Sequence, residues 1–227
     1  MKALVFGTSY VEGQERRYLI DLWRQLLTEV NPGIDLLVVD SASPDLPDVR
    51  PAHLIQLGDN IGHMGKTGVD GWGRAFSAGL SYAEQKGYDY AVHVETDLLF
   101  ARPVAPIIEK MAAHQVRIAG PLAAPQQFLE TALLFMDVAW VRESCLIERY
   151  DWATSPLAPI PERRLEEMAG PELFCLPLRG CRNDHHSVTP QNIDQVFPYG
   201  IDWLTHCRDL AVYRAFLRLN GFEEMAR

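Results

Sequence analysis

The sequence predicts a single α/β domain built on a mixed, mainly parallel central sheet flanked by helices. Three observations carry that prediction. Short apolar runs alternate with amphipathic helical stretches over the first hundred residues. The central runs are apolar enough to be buried strands. Acidic residues stand at the carboxyl ends of two of them, where open α/β sheets bind their ligands. With 227 residues at 48% hydrophobic content the chain can fill one core, and no repeat, low-complexity tract or linker divides it.

Taken in order, Ala3 to Phe6 is a short apolar strand ending in Gly7-Thr8-Ser9, and Glu15 to Val30 follows with Leu19, Leu22, Trp23, Leu26 and Leu27 at helical spacing. Asn31-Pro32-Gly33 stops that helix, and residues 35–40 form a buried strand that closes on Asp40. A third strand is expected over 53–57, then a glycine-dense stretch with Gly58, Gly62, Gly65, Gly68, Gly71 and Gly73, which implies backbone close to something bulky. A helix from about Trp72 to Lys86 buries Phe76, Leu80 and Ala83. The fourth strand, residues 90–94, runs into Glu95-Thr96-Asp97, and a helix follows over 103–113. The second half is less regular. Expected there are an apolar strand at 131–138, a helix at 161–169, a polar loop at 179–190 and a final helix at 209–219.

Composition excludes some partners. Asp and Glu number 30 against 21 Lys and Arg, a formal net charge of −9, so the field of the whole chain repels nucleic acid. No apolar run reaches the roughly 18 residues that span a bilayer, and the N-terminus has no signal-peptide pattern, so a cytoplasmic protein without an integral membrane segment is expected. Cys145, Cys175, Cys181 and Cys207 are irregularly spaced without a CxxC pair, and are expected as free, buried thiols.

Glu95 and Asp97 are the central candidates. On a strict strand their side chains would point to opposite faces, but at a strand end turning into a loop they can converge on one hard cation such as manganese or magnesium. Their surroundings resemble a known family. The stretch from Gly73-Arg74-Ala75-Phe76-Ser77 through Gly79-Leu80 to Ala83 is similar to the A-R-A-x-N-x-G-L-x-x-A helix of family 2 glycosyltransferases. Gly87 through Glu95-Thr96-Asp97 resembles the G-x-x-x-x-x-x-x-D-x-D of GT-A-fold enzymes, and Val38-Val39-Asp40-Ser41-Ala42-Ser43 resembles their V-V-D-x-x-S. The departures are Ser77 for the helix asparagine and Glu95 for the first aspartate. The likeness covers about residues 1–100 well and the remainder loosely.

What the resemblance implies is a Rossmann-like GT-A domain over 1–227, with 1–100 as the nucleotide-sugar-binding half and 101–227 as the acceptor side. The implied activity is a metal-dependent glycosyltransferase of hexosyltransferase type, moving sugar from a nucleoside diphosphate sugar to a saccharide or other hydroxyl acceptor. In that reading Thr8 and Asp40 contact the nucleotide, and the Asp40 carboxylate accepts the imide N–H of uracil or the N1 and N2 hydrogens of guanine. Arg74 and Lys66 neutralise the diphosphate. Glu95 and Asp97 hold the metal, and His186 of the His185-His186 pair completes the shell, with His206 as the rival imidazole. Glu162 is the candidate acceptor-side base, with Asp151 as an alternative. Two other readings stay open. A sugar-phosphate nucleotidyltransferase would need a Gly-rich, basic loop after the first strand, which Gly7-Thr8-Ser9-Tyr10-Val11-Glu12 is not. A non-catalytic module that binds a nucleotide-sugar or saccharide is permitted by the departures at Ser77 and Glu95.

Overall fold

A computed structural model of the chain describes residues 1–60, 69–123, 128–149, 160–183 and 188–227. Lys66, Asp151, His185 and His186 lie outside the described residues. The first half follows the expected alternation: strand β1 (Ala3–Ser9), helix α1 (Gln14–Val30), strands β2 (Asp35–Asp40) and β3 (His53–Gln56), helix α2 (Val69–Gln85) and strand β4 (Tyr90–Val94). The second half is assembled from shorter pieces. Strand β5 (Leu99–Phe100), helix α3 (Ala105–Ala113) and strands β6 (Ile118–Gly120), β7 (Leu122–Ala123), β8 (Phe128–Leu129) and β9 (Leu133–Asp137) come first. Helices α4 (Val138–Glu143), α5 (Leu146–Arg149) and α6 (Pro161–Ala169) then precede β10 (Leu173–Cys175) and β11 (Gly180–Arg182). Helix α7 (Ile193–Val196), strand β12 (Trp203–Thr205) and helix α8 (Leu210–Leu219) complete the order.

The described strands form a seven-stranded sheet in the order β10-β6-β9-β4-β1-β2-β3, in which β9 alone runs against its neighbours β4 and β6. After β1 the chain builds outward through β2 and β3, then crosses back to place β4 on the other side of β1. The strand order therefore reverses between β1 and β4, and their carboxyl ends flank the crevice in which such sheets take ligands. A smaller sheet, β11-β12-β5, stands beside it, with β12 antiparallel to β5.

Alternation along the strands sorts the core into two layers. Val5, Val38 and Val92 join α1, α3 and α8 on one face; Leu4, Phe6, Leu37 and Val39 join α2, α4 and α6 on the other. Helix α1 buries Leu19, Ile20, Leu22, Trp23, Leu26 and Leu27 and stops at Asn31, whose amide donates to the Leu27 carbonyl at 3.1 Å. Helix α2 can close on β1 only because residue 79 is glycine, since a Cβ there would fall 2.3 Å from the Phe6 ring.

Several expectations are corrected. The strand expected over 131–138 yields to α4 at Val138, because the Asp137 carboxylate caps that helix by accepting from the backbone N–H groups of Ala139 and Trp140. The stretch expected as a polar loop from 179 contains β11. All four cysteines are free, but Cys145 and Cys175 are exposed rather than buried. No helix among the described residues is long and apolar enough to cross a membrane.

Candidate functional site

Chain geometry after β4 brings the two acids together. The Glu95 N–H bonds to the Ala132 carbonyl at 2.9 Å, ending the ladder with β9, and the Leu98 N–H bonds back to the Glu95 carbonyl at 2.9 Å, turning the chain. Thr96 fixes the turn on β1 by donating its hydroxyl to the Thr8 carbonyl at 3.0 Å. Gly7 permits this close approach, because a Cβ there would meet Trp23, the Val94 carbonyl and Thr96 all within 2.9 Å. With the strand broken in this way, Glu95 and Asp97 escape its two-face alternation.

The third member arrives from the far end of the chain. Strand β12 pairs with β5 and delivers His206, whose φ of 55° turns the chain back toward the acids. Ligand atoms of Glu95, Asp97 and His206 all lie within 4.8 Å of one another. The Nε2 atom of His206 is buried and has no hydrogen-bond partner among the described residues, as a nitrogen kept for a metal would be. Two carboxylates and one imidazole are a donor set that suits manganese, so the residues fit a divalent ion. Tyr213 of α8 ties both segments together. Its hydroxyl donates to the Asp97 carbonyl at 2.7 Å and accepts the Cys207 N–H at 3.3 Å.

Behind Glu95 stands a buried charge network. Arg182 on β11 donates to both oxygens of Glu130, at 3.1 and 3.3 Å, and to Glu162 at 3.3 Å. Desolvation, and then the Asp97 and Glu130 carboxylates, push the Glu95 carboxyl up to about 8, while Arg182 and a Trp72 hydrogen bond pull the other way.

The acids open onto a pocket between the ends of β1 and β4, walled by Thr8, Ser9, Tyr10, Arg16, Ser41, Asn60 and Trp72 among others. Thr8 lies on that wall. Asp40 does not. It is fully buried, accepts from the Ser9 hydroxyl at 3.1 Å and from the Ser43 N–H at 3.0 Å, also accepts the Ser43 hydroxyl, and forms no part of the pocket wall. Arg74 is likewise off the wall, held by Asp59 in an ion pair. Glu162 is buried and engaged by Arg182, so its carboxylate faces a cation rather than open space. The pocket cation that the sequence analysis missed is Arg16, in the first turn of α1. Its only local signal was a basic residue one turn into a helix, a common surface feature. Trp72, Glu130 and Arg182 were missed as well, because only tertiary pairing gathers them.

Among solved structures the chain is similar to the galactosyltransferase LgtC in complex with donor and acceptor sugar analogs, at a TM-score of 0.55 and 12% identity over 97% of this chain and 95% of that one. It is similar to the mannosyltransferase PcManGT from Pyrobaculum calidifontis in complex with GDP-Man and Mn2+, at a TM-score of 0.54 and 17% identity over 78% and 55% of the two chains. The glycosyltransferase GlyE of Streptococcus pneumoniae gives a TM-score of 0.57 at 10% identity, over 99% of this chain and 64% of that one. No protein-family model and no curated protein matches the sequence. At these identities the likeness is one of fold. The chain has a GT-A-like glycosyltransferase fold.

Proposed function

We propose that the chain is a metal-dependent glycosyltransferase of hexosyltransferase type, moving a sugar from a nucleoside diphosphate sugar to the hydroxyl of a saccharide or other acceptor. One observation carries this reading: two carboxylates and an imidazole whose buried Nε2 has no hydrogen-bond partner among the described residues converge at the crevice where the strand order of a GT-A-like sheet reverses. Glu95, Asp97 and His206 would hold manganese or magnesium, which when bound supplies Lewis-acid stabilisation of the departing diphosphate. Arg16, on the same pocket, offers a guanidinium to phosphate oxygens. The wall formed by Thr8, Ser9, Tyr10 and Ser41 receives the nucleoside, so residues 1–100 supply the donor half. Residues 101–227 supply the acceptor side together with the third ligand. The structures with GDP-Man and Mn2+ and with donor and acceptor sugar analogs support the same chemistry in proteins of this fold.

The test is calorimetric titration of UDP and GDP, with and without manganese, into the parent, Asp97→Asn and His206→Ala. In the parent, manganese should tighten nucleotide binding at least about tenfold, and nucleotide should tighten manganese by the same factor. Both variants should lose that coupling. A parent without it would remove the metal from the reading. A parent that shows the coupling but never transfers or hydrolyses any donor sugar would be a binding module instead.

A further inference from the structure

A groove of about 940 Å³ runs between α3 and the edge of the seven-stranded sheet at β10, and among the described residues it shares no lining side chain with the pocket above. Its floor is apolar. Ile107 and Met111 line it from α3, Phe174 from β10, and Leu176 and Leu178 from the stretch that follows. Its rim is cationic, with Arg102, Lys110 and Arg179 beside His114. The lone carboxylate among the described lining residues is Asp202, whose side chain is 6% exposed and already accepts Arg102 Nε at 2.6 Å and the Arg179 backbone N–H at 2.7 Å. The acid of α3, Glu109, lines the cleft on the other side of that helix. On a chain of formal net charge −9 the groove is therefore a local reversal of sign. Apolar side chains also stand out into solvent around it. Phe174 is 49% exposed and Tyr199 82%, the latter beside Arg179, whose Nη2 lies 3.8 Å from the place a Cβ on Gly200 would take. Such a patch matches a partner that is anionic at its surface and apolar beneath.

We propose that this groove docks the chain on a membrane surface rich in anionic phospholipid, with phosphate headgroups against Arg102, Lys110 and Arg179 while Phe174 and Tyr199 enter the headgroup layer. Attachment is peripheral, to one leaflet. Two other occupants fit the groove less well. Strand β10 has three residues, between Pro171 and Pro177, and so offers little edge for a peptide to extend as a further strand. A second copy placed two-fold on the groove would set its cations against themselves. Lipid needs neither a strand ladder nor an opposing protein face. From Asp202 on the groove, β12 leads to His206, four residues on (206 − 202) and at most about 13 Å away. A docked bilayer thus lies close to the proposed metal ligands, although the docking itself does not depend on the nucleotide-sugar reading.

Co-sedimentation of the full chain with vesicles tests this, using phosphatidylcholine alone and equal parts of phosphatidylcholine and phosphatidylglycerol. The parent should bind the second and not the first, and raised salt should release it. Lys110→Gln and Phe174→Ser should each weaken binding about fivefold, the first by removing a charge and the second by removing apolar area. Both side chains are exposed, so the fold should survive either change. Lys86→Gln removes a charge just after α2, on the other face of the sheet, and should bind as the parent does. A parent that ignores both vesicles or binds both alike overturns the proposal. So do groove variants that bind as the parent does, or a loss of the same size in Lys86→Gln. Binding of poly-glutamate as tight as that of the anionic vesicles would give the groove to an acidic protein instead. A dimer in sedimentation that Phe174→Ser breaks would give it to a second copy.

Discussion

Glu95, Asp97 and the buried Glu130 crowd together, with Arg182 as the nearby cation. The consequence for stability follows from the sign of the Glu95 shift. In the unfolded chain its proton leaves near the ordinary 4.5, whereas in the metal-free fold it is retained up to about 8. Between those values the folded state binds more protons than the unfolded one, so the Glu95 contribution is full below about pH 4.5 and is lost as pH rises through 8. Glu95→Gln should therefore raise the stability of the metal-free protein at pH 8 by about 1 to 2 kcal/mol, partial exposure being allowed for, and should flatten its pH dependence. It should also abolish metal-enhanced nucleotide binding. Thermal denaturation with chelator at pH 5 and pH 8 measures the first effect, and a variant less stable than the parent at pH 8 would contradict it.

Among the elements, α8 matters to the site although none of its residues touches the pocket wall. Tyr213→Phe removes the hydroxyl that joins the Asp97 carbonyl to the Cys207 N–H, and should cost about 1 to 2 kcal/mol of stability. Manganese affinity should fall about tenfold, while nucleotide binding without metal should hold; a manganese titration that matches the parent would show that the tyrosine only fills space. Gly79→Ala should cost about 1 to 3 kcal/mol by forcing α2 off Phe6, which gives a physical reason for the glycine in the helix motif. Legibility in the sequence divides at the same level. The strands β1, β2 and β4 and the helices α1 and α2 announced themselves because each is long enough to show a period or a continuous buried run. Glu95 and Asp97 were legible as the acids that end such a run. Strands of two or three residues, such as β5, β11 and β12, carry no period at all. His206 could be named only as a rival to His186, because its place beside Glu95 depends on a strand pairing between β5 and β12 that no local pattern encodes. Asp40 was legible as a strand-end acid, but that its oxygens turn inward to Ser9 and Ser43 depends on packing between β1 and the loop after β2.

Across the whole molecule, the sheet and the metal site differ in how far along the chain their parts lie. Strands β1, β2, β3 and β4 come from the first 94 residues, and their helices close short crossovers. Asp97 and His206, by contrast, are separated by 109 residues (206 − 97). Joining ends that far apart costs on the order of 4 kcal/mol of loop-closure entropy, unless intervening structure has already shortened the path. The pairing of β12 with β5 thus predicts an order in time: during refolding, or as the chain leaves the ribosome, the crevice should form before it can hold an ion. Refolding followed by far-ultraviolet circular dichroism should show most of the secondary structure before manganese-coupled nucleotide binding appears, and interrupting the reaction between the two should trap chains that are folded in the first half but blind to the metal. Manganese coupling that rises in step with the dichroism would mean that the two ends meet as early as the sheet itself forms.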